Sequence, residues 1–171
     1  RCRWVHDVAE EVEWRGRNGE PASHRSLTTL IGQGYPKPRG GSSLSPEARV
    51  TATELRDLLV RRQQALDPTA EVGNFAHLGE SATVAHVADR PGAIAVLDDA
   101  GARAIADLKS VRWVTTRRLA AEMVVAGAAT ERFAQKLFCA VRLAGEQGEP
   151  SDEDWKEELQ LVRGLVTPAA G

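Results

Sequence analysis

The stretch "LGESATVAHVADRPGAIAVLDDAGARAIA", Leu78 to Ala106, decides how the chain is read. Its first third holds Val84 and Val87 among small alanines, which predicts a helix opening near Gly79. "AIAVL", Ala93 to Leu97, is a short apolar run of the kind that forms a strand buried on both faces. "AGARAIADLK" then returns to a helical pattern. Glu80 stands at the mouth of the first helix, and Asp98 and Asp99 close the strand. Carboxylates at such edges are either capping groups or ligands converging on a metal ion.

Outward from this stretch the same alternation continues. Downstream, "VRWVT" (Val111 to Thr115) predicts a second strand, and "RRLAAEMVVAG" predicts a helix closed by Gly127. Two further helices are expected over Thr130 to Ala144 and Ser151 to Val166, each opening on a capping residue. Upstream, Ser45-Pro46 supplies an N-cap followed by proline at the first helical position. A long helix should follow to about Leu66, with Val50, Leu55, Leu58, Leu59 and Leu66 on one stripe. "GQGYPKPRGGSS", residues 32–43, reads as a Gly/Pro-rich loop. Before it, a short strand around Arg3 to His6 leads into a helix carrying Val5, Val8 and Val12 and stopped by Asn18-Gly19. Strands alternating with helices predict an α/β fold, a small parallel sheet flanked by helices on both faces. A single domain over residues 1–171 is expected, with a helical C-terminal extension at 151–166.

Composition narrows the classes. With 171 residues, 42% hydrophobic and 27% charged, the chain suits a globular domain with a core and excludes disordered and collagen-like classes. The longest apolar stretch, "LAAEMVVAGAA" from Leu119 to Ala129, is roughly half of the ~20 residues a membrane crossing needs. No membrane partner is expected, and a reducing cytoplasm is the expected location. Cys2 and Cys139 are too few for a disulfide scaffold and lack zinc-binding spacing. A net charge of −2 announces no nucleic-acid partner by itself. The chain begins at Arg1 and its one methionine, Met123, is internal; residues upstream are expected.

In an open parallel sheet, reactive groups gather beyond the carboxyl ends of the strands. Asp98 and Asp99 lie at such an end, Glu80 begins a helix, and Glu11 follows the first expected strand by about two turns. If these acids meet, a divalent cation with oxygen ligands, Mg²⁺ or Mn²⁺, relieves their repulsion. The competing reading is local: Glu suits a helix N-terminus, and Asp before Ala-Gly is good N-cap and turn chemistry. His6, His24, His77 and His86 form no close-spaced metal motif and are read as structural. Trp4, Trp14, Trp113 and Trp155 are read as core or interface anchors.

"HLGESATVAHVADRPGAIAVLDDAGARAIADL" resembles the signature region of the PIN-domain family, compact α/β metal-dependent ribonucleases that include toxins of bacterial toxin–antitoxin pairs. "RWVTTRRLAAEMVVAG" resembles that family's next strand, threonine turn and helix. The resemblance implies that Glu80, Asp99 with its neighbour Asp98, and Glu11 within Val8 to Val12 are catalytic metal ligands. It further implies that Thr115 and Thr116 border the site, where Arg103, Arg117 and Arg118 are candidates to grip RNA phosphates. The family's opening strand and its aspartate have no match here, and Asp7 is a poor replacement. Two functions stand open: a Mg²⁺- or Mn²⁺-dependent endoribonuclease, paired with a protein antitoxin, or a catalytically inactive PIN-like module that binds protein or nucleic acid. A homodimer is a further expectation, with Leu159, Val162 and Leu165 of the last helix as candidate contacts.

Overall fold

The computed structural model describes residues 44–69, 72–73, 76–136 and 152–166. The expected strand at Arg3 to His6, the helix after it, Glu11 and the 32–43 loop lie outside the described residues. Seven elements are described in full: α1 (Pro46–Leu66), α2 (Leu78–Ala88), β1 (Ala95–Val96), α3 (Ala100–Leu108), β2 (Trp113–Val114), α4 (Thr116–Val125) and α5 (Asp152–Val166). Residues 131–136 are also helical. No described helix is long and apolar enough to cross a membrane.

The expected α/β layer is overturned. Strands β1 and β2, two residues each, form one two-stranded sheet. Ala95 N–H donates to Arg112 O and Leu97 N–H to Val114 O, both at 2.9 Å, so the partners advance together and the pairing is parallel. The sheet stays narrow because its neighbours in sequence are helical: α1 and α2 precede β1, and α4 and α5 follow β2. One β–α–β step is made, and among the described residues no other strand widens it. The "AIAVL" run is covered on one side instead of two. Ala95 and Leu97 are buried, while Ile94 and Val96 are 48% and 44% exposed.

The chain divides into two compact units, one of residues up to Ala95 with Asp99–Arg112, the other Val96–Asp98 with Trp113 onward. In the first unit, Ser45 caps α1 by accepting a hydrogen bond from Ala48 N–H at 3.0 Å, with Pro46 at the first helical position. Leu44 and Ala48 pack with Ala82 and Ala85 of α2, and Ala52 packs against them. Alanines on both helices let the backbones approach closely. Leu55 and Leu59 complete the inward face of α1; each buried leucine contributes about 1.5–3 kcal/mol. Helix α3 adds Ala102, Ile105 and Ala106 to the buried set. It meets α1 at Gly101, where a Cβ would fall 3.0 Å from Leu59 Cδ2 and 2.9 Å from Asp99 Oδ1, so any larger residue forces a shift.

The turn into α2 is tied to α1 by side chains. Arg56 Nε donates to Ala76 O at 3.0 Å, and His77 Nε2 lies 2.8 Å from Gln63 Oε1. His77 takes a left-handed conformation, φ 61°, as the residue before the helix. Ser81, the buried polar residue of α2, donates its hydroxyl to His77 O at 2.7 Å, which satisfies it within the helix.

In the second unit, α4 packs on α5. Ala120 and Ala121 of α4, Ala134, and Trp155, Leu159 and Val162 of α5 form one buried cluster, with Val124 and Val125 against it. Small residues on α4 make room for the Trp155 ring. Gly127, at φ 70°, ends α4 in the left-handed conformation that glycine adopts at little steric cost. Arg118 joins the helices at one end, 3.1 Å from Glu122 on its own helix and 3.6 Å from Glu158 on α5.

Candidate functional site

The carboxylates at the end of β1 act on the two helices that follow the two strands. Asp99, in extended conformation, is the N-cap of α3 and accepts from Ala102 N–H at 2.7 Å. Asp98 reaches to the far strand end: its Oδ1 accepts from Thr116 N–H at 2.9 Å, and its Oδ2 accepts from the Thr116 hydroxyl at 2.5 Å. Thr115 is the N-cap of α4 and accepts from Arg118 N–H at 3.1 Å. The first four N–H groups of any helix lack partners inside it. Asp99 supplies one for α3, and Asp98 and Thr115 supply two for α4. Adjacent in sequence, the two aspartates serve different helices, which is the capping reading of this acid pair.

Glu80 lies in the first turn of α2, half-buried, with its Oε2 shielded from solvent. Among the described residues no group of three or more His, Cys, Asp or Glu side chains is placed to hold a metal ion. The described residues therefore do not fit Mg²⁺ or Mn²⁺, and the metal-dependent ribonuclease expected from the sequence is overturned along with its hydrolase chemistry. The PIN-domain resemblance fails on the same grounds and on the fold, since among the described residues a two-stranded sheet among helices stands where that family has a multi-stranded central layer.

The other singled-out residues are placed as follows. Arg103 on α3 and Arg117 on α4 are half-buried. Arg118, expected at a phosphate, is engaged by Glu122 and Glu158. Thr115 and Thr116 are both hydrogen-bonded at the start of α4. Leu159 and Val162, expected as dimer contacts, lie 2% and 1% exposed inside their own unit, whereas Leu165 is 69% exposed. Trp155 is a core anchor, as expected of a tryptophan in a helical stripe.

Sequence reasoning missed the outward flank of α5. The 3.6-residue repeat sets Glu157, Leu161 and Leu165 along one exposed flank, beside the buried stripe of Trp155, Leu159 and Val162, whereas Asp154 and Glu158 are half-buried and Glu158 meets Arg118 of α4. Leu161 is 58% exposed. The flank is acidic in its first half and apolar in its second. The signal was present in the sequence: residues 146–158, "EQGEPSDEDWKEE", hold seven acids against one lysine, and the apolar "LQLVRGLV" follows directly. No family model matches the chain, and neither a curated protein nor a solved structure does.

Proposed function

We propose that the chain is a protein-binding module whose α5 flank receives an amphipathic helix of a partner, basic at one end and apolar at the other. The observation that carries this reading is the exposed Leu161–Leu165 pair continuing an acidic half-flank on the same helix. Single exposed leucines are ordinary on protein surfaces. Two at i and i+4, lined up with the exposed Glu157 one turn before them, match the spacing by which one helix reads another. Acids in the first helical turn also favour the macrodipole. Glu157 and Glu158 lie beyond that turn, so the macrodipole does not account for them.

Charge supplies orientation and the leucines supply the anchor. An opposing Lys or Arg set against Glu157 steers encounter, and apolar side chains against Leu161 and Leu165 slow departure. Two leucines and a few charges make a small interface, so the complex belongs with transient ones, below about 1,200 Å² in total.

The test is fluorescence anisotropy with two labelled helical peptides, one basic and amphipathic, one with its charges reversed. The basic peptide is expected to bind, with Leu161→Asp weakening it roughly ten-fold, equivalent to about 1.4 kcal/mol. Equal binding of both peptides, or binding indifferent to Leu161→Asp, rejects the reading.

A further inference from the structure

We infer that α1 is a self-recognition surface: two copies of the chain associate through its exposed ridge Val50, Glu54, Leu58, Arg62 and Leu66, set antiparallel about a two-fold axis at Leu58. The ridge is separate from the α5 flank, and the inference is independent of the reading of that flank. The large apolar side chains that α1 exposes are Val50, Leu58 and Leu66, at 61%, 41% and 81%. They follow one another at intervals of eight residues, and midway between them stand Glu54 and Arg62, both exposed. Positions four apart are neighbours on a helix surface, so the five side chains make one continuous ridge. Leu55 and Leu59 point into the chain's own core and are not needed for it.

Both charges on the ridge lack a counterpart on their own helix. The positions three and four away from Glu54 hold Val50, Thr51, Asp57 and Leu58, and those around Arg62 are all apolar. No ion pair or side-chain hydrogen bond among the described residues engages Glu54 or Arg62. The counterpart is supplied by the ridge itself. Reversed end for end, with acid exchanged for base, its order is unchanged: apolar, charged, apolar, charged, apolar.

That symmetry selects both the occupant and its direction. In a parallel pair Glu54 would face Glu54 and Arg62 would face Arg62, and like charges repel. Antiparallel, Leu58 meets Leu58 of the second copy, Glu54 meets its Arg62, and Arg62 meets its Glu54. The opposed helix dipoles favour the same direction. Helices crossing at about −50° run their four-residue ridges alongside each other, which centres the contact on Leu58 with a charge pair on either side. Identical patches related by a two-fold axis close on themselves, so the assembly stops at two chains. A contact of one ridge is small, within the range below about 1,200 Å² occupied by transient complexes.

The test is sedimentation of the full chain over a concentration series, with three charge variants: Glu54→Arg, Arg62→Glu, and the two combined. All the positions are exposed, so each variant is expected to keep the wild-type melting temperature. Wild type is expected to rise from one chain to two and no further. Each single variant sets like charges against each other and is expected to weaken association roughly ten-fold or more. The combined variant exchanges the signs, keeps the ridge self-complementary, and is expected to recover wild-type association. Mixed one to one, the two single variants are expected to form a heterodimer, since one ridge then carries only cations and the other only anions. Leu58→Asp is expected to abolish association, whereas Leu161→Asp on α5 leaves it unchanged. Wild type monomeric at every concentration, growth beyond two chains, or a combined variant no better than the single ones overturns the inference. Association lost with Leu161→Asp and kept with Leu58→Asp also overturns it, by placing the contact on α5.

Discussion

The acids at the end of β1 and the acids on the first half of α5 are the same functional group in opposite circumstances. Asp98 and Asp99 sit at a strand end, where chemistry is usually sought, yet each is occupied by the helix it caps. The α5 acids sit on what reads as a plain extension. Among them Glu157 faces outward, in line with two exposed leucines. A carboxylate at a helix start has an immediate supply of unpaired N–H donors and is consumed locally. A carboxylate further along a helix meets no such donors, and what packs beside it decides its fate: Glu158 takes Arg118 of α4, while Glu157 stays exposed.

The largest effect that probes this contrast is within α5 itself. Leu159→Ala, on the inward stripe, is expected to cost about 2–5 kcal/mol in urea denaturation through the cavity it leaves. Leu161→Ala, two residues on, is expected to stay within about 0.5 kcal/mol. Similar losses at the two positions would mean that the flank is part of the core. Next in size are the caps. Asp99→Ala is expected to cost about 0.5–2 kcal/mol, whereas Asp99→Asn retains most of the stability because asparagine caps equally well. Asparagine performing as badly as alanine would show that the charge, and not the cap, is what matters at Asp99.

A smaller effect belongs to Arg118. Its contacts with Glu122 and Glu158 are partly exposed, so Arg118→Gln is expected to cost only about 0.2–1 kcal/mol and less in high salt. A larger, salt-independent loss would place Arg118 among the groups that hold α4 to α5. The smallest stability change is expected for Leu161→Asp, within about 0.5 kcal/mol by thermal unfolding, although it removes partner binding. A large drop would confound surface and core.

Local structure was legible in the sequence to a degree that the architecture was not. Ser45-Pro46 and the apolar stripe placed a helix to Leu66, and α1 runs over Pro46–Leu66. Gly127 marked the end of α4, and the strands fell inside "AIAVL" and "VRWVT". These signals are local, fixed by caps, by glycine and by periodicity. The number of strands in a layer is a long-range property. Two short apolar runs separated by a helix are compatible with a lone two-stranded pair or with a small multi-stranded sheet flanked by helices on both faces, and alternation alone favoured the latter. The one-sided burial of Ile94 through Leu97 was hidden for a related reason, since a five-residue apolar run does not say which of its faces is covered.

The site was misread by the same mechanism. Glu80, Asp98 and Asp99 matched a known pattern of acids, and the local alternative, N-cap chemistry, was equally written in "DDAGA" and "TTRR". Thr116 as a donor to Asp98, 18 positions away in the chain, had no counterpart in the sequence. The acidic-to-apolar order of α5 was visible throughout, but which side of the helix faces outward depended on Trp155 finding the alanines of α4.

The most direct measurement is a nuclear magnetic resonance titration of the isotopically labelled chain with the basic amphipathic peptide. Shifts concentrated at Glu157, Leu161 and Leu165, with the amides of Ala102 and Thr116 unmoved, are the expected result. Shifts centred on Asp98, Asp99 and the helix starts they cap, with α5 silent, would contradict it.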